Sequence, residues 1–85
     1  MSEDEVLRYV KLDSEELRRI VAQENPPRAA LRAASVLEFM EAYHLSDRKN
    51  ALKQFGVLRR AQALLLGLEG EEYETFTDGF PEETE

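Results

Sequence analysis

The sequence predicts an all-α fold: a small bundle of three to four helices over residues 1–69, followed by an acidic, flexible segment over 70–85. Three observations carry that prediction. Apolar residues recur at helical spacing through most of the chain. Residues that start helices (Ser2, Asp13, Asn25 and Asp47) stand just ahead of those runs. The 85 residues are 42% hydrophobic and 34% charged and contain no cysteine, so no disulfide framework substitutes for a packed core. A chain of this mass hides only about 64% of its unfolded surface, so the core is thin and one domain is the expected unit.

Ser2 with Glu5, and Asp13 with Glu16, have the spacing of capping boxes. Residues 6–12 suit either secondary structure: Val6, Val10 and Leu12 alternate as in a strand, while Val6 and Val10 also share a helix face. A short helix is the preferred reading. At the second box Leu12 and Leu17 take the positions of a hydrophobic staple, and Leu17, Ile20 and Val21 continue an apolar stripe to about Glu24. Asn25-Pro26-Pro27 breaks the chain. Asparagine caps, proline suits the first helical turn, and the residue before a proline resists α geometry. The next helix is predicted from Pro26 to His44, with Ala29, Ala33, Val36, Leu37, Met40 and Tyr43 on one broad face and Leu31, Ala42 and Leu45 opposite. Its alanines permit close approach between helices.

Ser46 or Asp47 caps a further helix, predicted over Asp47–Leu68. Its apolar arc takes in Ala51, Phe55, Val57, Leu58, Ala61, Leu64, Leu65 and Leu68. It is about twice as wide as a helix resting on one core requires. Gly67 and Gly70 supply a stop. Beyond them Tyr73, Phe76 and Phe80 are spaced among acids, with an Asp78-Gly79 turn before Pro81. Such a stretch buries little alone and is expected to be flexible when free.

Net charge is −7, unevenly spread. Residues 46–68 carry five bases and one acid, and residues 69–85 carry eight acids and no base. A basic segment directly followed by an acidic one suggests either an internal shield or a partner-docking segment. The longest apolar run, 63–68, is too short to span a bilayer, and the acidic N-terminal stretch does not read as a signal peptide. A cytoplasmic protein is expected, with no membrane partner.

Catalysis is not expected. His44 is the one histidine, the serines lie in no elbow motif, and the glycines have the wrong spacing for a phosphate-cradling loop. No cofactor motif is present. Glu41-Ala-Tyr-His44, with Glu38 a turn earlier, matches the Glu-x-x-His spacing of di-iron bundles, but one copy supplies half a site. A histidine at a helix C-terminus is better explained by the dipole, so no metal is assigned.

A nucleic-acid reading lays Ala51–Val57 on a helix-turn-helix with Phe55-Gly56-Val57 as the turn, and takes Lys49, Lys53, Arg59 and Arg60 as contacts. Against it, the apolar phase runs unbroken through Gly56, and the net charge opposes phosphate. A single helix with an interior glycine is simpler. Asn25-Pro-Pro-Arg-Ala-Ala-Leu-Arg-Ala-Ala, followed by Leu37 and Leu45, resembles a helix of phage small-terminase subunits over residues 25–45. That resemblance implies DNA packaging, but no N-terminal DNA-binding motif accompanies it, and it does not assign the family. A DNA-binding or DNA-packaging accessory is therefore the alternative function.

The favoured function is a non-enzymatic protein–protein interaction module (adaptor, regulator or inhibitor) that self-associates or binds a protein partner. Its expected contact residues are Val57, Leu58, Leu64, Leu65 and Leu68, from the surplus apolar arc, and Tyr73, Phe76 and Phe80 as aromatic anchors steered by carboxylates.

Overall fold

The structure, a computed structural model, describes residues 1–80. Five helices run α1 Glu3–Val10, α2 Ser14–Val21, α3 Arg28–Tyr43, α4 Arg48–Leu65 and α5 Gly70–Thr77, with no strand among the described residues. The all-α bundle is as predicted, with four helices within residues 1–69 and a fifth after them among the described residues. The added helix lies in the acidic segment that was expected to be flexible. The part of that segment over residues 81–85 lies outside the described residues.

The local signals explain most boundaries. Ser2 Oγ accepts a hydrogen bond from Glu5 N–H at 3.2 Å, and Val6 and Val10, one helical turn apart, are fully buried. The ambiguity over residues 6–12 therefore resolves as helix, since both valines reach the core from one face of α1. Asp13 caps α2 through Glu15 N–H at 3.3 Å. Asp47, rather than Ser46, caps α4 through Asn50 N–H at 3.1 Å.

Helix α3 starts two residues later than predicted. Pro26 precedes a proline and is held out of α geometry, so Pro27 becomes the cap, at φ −58° and ψ 141°, without a side-chain hydrogen bond. The helix ends at His44, which adopts the left-handed conformation (φ 56°), and Leu45 N–H closes on Met40 C=O at 2.9 Å. Helix α4 ends at Leu65, short of the predicted Leu68. Gly67 turns left-handed at φ 73°, Gly67 N–H bonds Leu64 C=O at 3.1 Å, and Leu68 N–H bonds Ala63 C=O at 3.0 Å. This pair of reversed bonds is a Schellman ending, with glycine at the position that needs a positive φ.

The core is built on α3. Ala29, Ala30, Ala33, Val36 and Met40 meet Val6 and Val10 of α1, Leu17 of α2, Ala51 and Leu52 of α4, and Phe80. The alanines let α1 and α4 approach α3 closely, as their spacing predicts. Arg48 ties the ends of these helices together. Its Nη1 donates to Val10 C=O at 2.6 Å and Leu12 C=O at 2.8 Å, carbonyls that the end of α1 leaves without a helical partner.

The segment after α5 completes this core. Phe80 is 7% exposed and lies over Gly56, where an added Cβ would stand 3.0 Å from Phe80 Cβ. Gly56 costs α4 about 1 kcal/mol of helix propensity relative to alanine, and in return the backbone admits the ring. Phe80 continues a run of aromatic contacts: Phe55 at 5.4 Å, then Phe39 at 5.3 Å from Phe55, then Tyr43 at 5.0 Å from Phe39, between centroids. Gly79, at φ 88°, is the other close approach, since a Cβ there would meet Val6 Cγ2 at 2.8 Å. Beside it the Met1 ammonium pairs with Asp78 Oδ2 at 3.3 Å.

Candidate interaction surface

Helix α4 is apolar around much of its circumference, and the fold uses only part of that surface. Ala51, Leu52, Gly56 and Ala63 face inward and are buried, with Phe55 partly buried beside them. About 100° per residue puts Val57, Leu58, Ala61, Leu64 and Leu65 on the opposite side. Val57 is 44% exposed, Leu58 46%, Leu64 70% and Leu65 88%, and Ala61 between them is exposed. This is a continuous stripe at i, i+1, i+4, i+7 and i+8. Leu68 follows in the turn, half-buried.

The aromatic residues of the acidic segment are placed differently from this stripe. Phe80, expected as a docking anchor, is a core residue. It cannot be offered to a partner because Gly56, Phe55 and the Arg32 guanidinium, 5.1 Å from its centroid, enclose it. Phe76 is half-buried against α4, with the Arg59 guanidinium 3.6 Å from its ring centroid and Arg59 Nε donating to Phe76 C=O at 2.9 Å. Tyr73 is half-buried and lines a cleft of about 480 Å³ with Arg60, Thr77 and Phe80. The aromatic set is thus turned toward the protein's own helices, while the leucine set is turned outward.

The basic residues divide in the same way. Lys49 and Lys53 are exposed, while Arg59 and Arg60 are half-buried beside α5. Arg59 also lines an open cleft of about 550 Å³ with Arg28, Arg32, Leu68 and Phe76, rimmed by Glu71 and Glu72. Burial first, then the like charges of Arg59 and Arg28, hold the Arg32 guanidinium below its ordinary pKa, with Asp78 acting in the opposite sense. Burial lowers Arg59 as well. At about 100° per residue Lys49, Lys53 and Arg60 share one side of α4, while Arg59 is turned toward Phe76. The helix-turn-helix layout is also corrected, because α4 runs straight through Phe55-Gly56-Val57 with its hydrogen bonding intact.

Around His44 the structure brings together Glu41, Ser14, Met40 and Arg48 in an open cleft, and Glu41 lies 3.8 Å from Arg18 in an exposed ion pair. Among the described residues no three His, Cys, Asp or Glu side chains are grouped so as to hold a metal ion. No helix among them is long and apolar enough to cross a membrane.

Sequence reasoning missed three contributors. Leu66, 66% exposed, extends the apolar end of α4. Arg48 and Arg59 are structural donors rather than surface charge. The unbroken apolar phase through Gly56 was the available signal for a close approach on that side of α4. No family model matches the chain, and no curated protein or solved structure is significantly similar to it, so the resemblance over residues 25–45 has no counterpart there.

Proposed function

We propose that the protein is a small, non-enzymatic interaction module that self-associates through the outer face of α4. It works as an adaptor, regulator or inhibitor by presenting a protein-binding surface. The observation that carries this reading is the stripe Val57, Leu58, Leu64 and Leu65. Its residues are contiguous and 44–88% exposed, on a chain with many charged residues available to cover such a face. Scattered surface leucines need no explanation, whereas a leucine stripe along a single helix marks a contact face. Fully burying one leucine contributes about 1.5–3 kcal/mol, so the stripe holds enough latent stabilisation to offset part of the cost of association. A non-enzymatic role and a cytoplasmic setting are part of this proposal.

The alternative, a DNA-binding or DNA-packaging accessory, draws on fewer residues. Of the bases on α4 only Lys49 and Lys53 are exposed, and Arg59 is engaged by Phe76.

Sedimentation equilibrium tests the favoured reading. The full chain is expected to sediment as an oligomer that Leu65→Glu dissociates, while far-UV circular dichroism stays unchanged. A chain that remains monomeric up to high concentration would overturn self-association, and loss of helicity in Leu65→Glu would place that side chain inside the protomer.

A further inference from the structure

The stripe has a symmetry of its own. Ala61 lies at its centre, with Leu58 and Leu64 three residues either side and Val57 and Leu65 four residues either side. Farther out the chemistry is opposite at the two ends. Lys53, exposed, stands eight residues before Ala61, and Glu69, exposed, stands eight residues after it. Lys49 extends the basic end, while Glu71 and Glu72 belong to α5, which folds back toward Arg59.

We propose that α4 pairs antiparallel with α4 of a second copy about a two-fold axis at Ala61, with Lys53 of each subunit facing the Glu69 end of the other. The proposal rests on the self-association reading above and commits it to one geometry. Charge complementarity decides the direction. A parallel pair would set lysine against lysine at one end and glutamate against glutamate at the other, which is destabilising, whereas the antiparallel pair sets lysine against glutamate at both ends. Antiparallel packing also opposes the two helix dipoles. A small residue at the crossing point lets the backbones approach while the larger Val57, Leu58, Leu64 and Leu65 interdigitate on either side. Helix α5 is no obstacle, because it packs on the Gly56, Arg59 and Arg60 side of α4.

The absence of native cysteine makes disulfide trapping direct. At 1.5 Å per residue, two copies of residue 65 in the antiparallel pair lie about 12 Å apart along the axis, beyond the reach of a disulfide, while two copies of residue 61 face each other. Under mild oxidation the full-length Ala61→Cys variant is expected to form a covalent dimer. Leu65→Cys alone is expected not to, and an equimolar mixture of Val57→Cys and Leu65→Cys is expected to cross-link between the two variants. Self-linking by Leu65→Cys would overturn the antiparallel direction while leaving self-association standing. Failure of Ala61→Cys to link in a chain that sediments as a dimer would overturn the axis. A monomeric wild type would overturn both proposals.

Charge reversal supplies a second measurement that leaves the apolar face intact. Lys53→Glu is expected to weaken the dimer about five- to tenfold. Adding Glu69→Lys is expected to restore it to within about twofold, because the reversed pair meets again across the two-fold axis. A double variant that dimerises more weakly than either single variant would overturn the proposed facing of the two ends.

Discussion

The outer stripe of α4 and the aromatic segment behind it pose the same problem in the sequence and meet opposite fates in the structure. Both are apolar side chains in excess of a thin core, and the aromatic set, dispersed among acids, looks the less able to pack. Yet Phe80 is 7% exposed and Leu65 is 88% exposed. What separates them is what stands opposite. The aromatic segment meets Gly56, where a missing side chain leaves room for a ring, and Arg59, whose guanidinium covers Phe76 at 3.6 Å. The stripe meets neither a glycine nor a flat cation, and no element among the described residues crosses it. Burial in a small bundle follows complementary partners rather than hydrophobicity alone.

The comparison can be broken most forcefully at Phe80. Removing a large buried aromatic leaves a cavity between α3 and α4, so Phe80→Ala is expected to cost about 3–4 kcal/mol in urea unfolding. Its association, measured under folding conditions, should remain that of the wild type. A loss below about 1 kcal/mol would mean that the ring contributes little and that the C-terminal segment is surface after all.

A smaller effect is expected at the cover over Phe76. Arg59→Ala removes a cation–π contact and a hydrogen bond to Phe76 C=O, together worth about 1–2 kcal/mol, and should raise amide exchange in α5 more than in α1–α3. Uniform exchange changes across all five helices would show that α5 is not separately anchored by this residue.

The smallest effect is expected where the sequence is most hydrophobic. Leu65→Ser should change protomer stability by no more than about 0.5 kcal/mol, measured at concentrations below association. A loss of 2 kcal/mol would place Leu65 in intramolecular packing and erase the contrast with Phe80.

Much of the bundle was legible because helix starts and stops are local chemistry. Ser2, Asp13 and Asp47 announce α1, α2 and α4, Gly67 announces the end of α4, and the spacing from Ala29 to Met40 marks the face of α3 that is buried. Each signal depends on a few neighbouring residues. The two misjudged regions depend on distant ones. Glu71, Glu72 and Glu74 make 70–77 read as a solvated segment, and nothing local reports that Phe76 will find Arg59 or that Phe80 will find Gly56. Pro26 belongs with the local signals but needed a finer rule, since its own neighbour Pro27 displaces the helix start.

The candidate surface was legible for a related reason. An apolar arc too wide for one core is visible in the sequence as an excess. Which side of the arc faces outward depends on where α1, α3 and α5 happen to lie. Val57, Leu58, Leu64 and Leu65 were grouped with Ala51 and Phe55 by angle, and only the packing divides them. The arginines show the same limit. Arg48, Lys49, Lys53, Arg59 and Arg60 look like one basic run, yet Arg48 is committed to the carbonyls at the end of α1 and Arg59 to Phe76.

The ring that seals Gly56 belongs to residue 80, so the closure of this side of α4 depends on the last described residue. A chain cut short before that residue therefore gains a second sticky flank, and any partner that captures such a fragment would grip a surface the intact protein keeps closed.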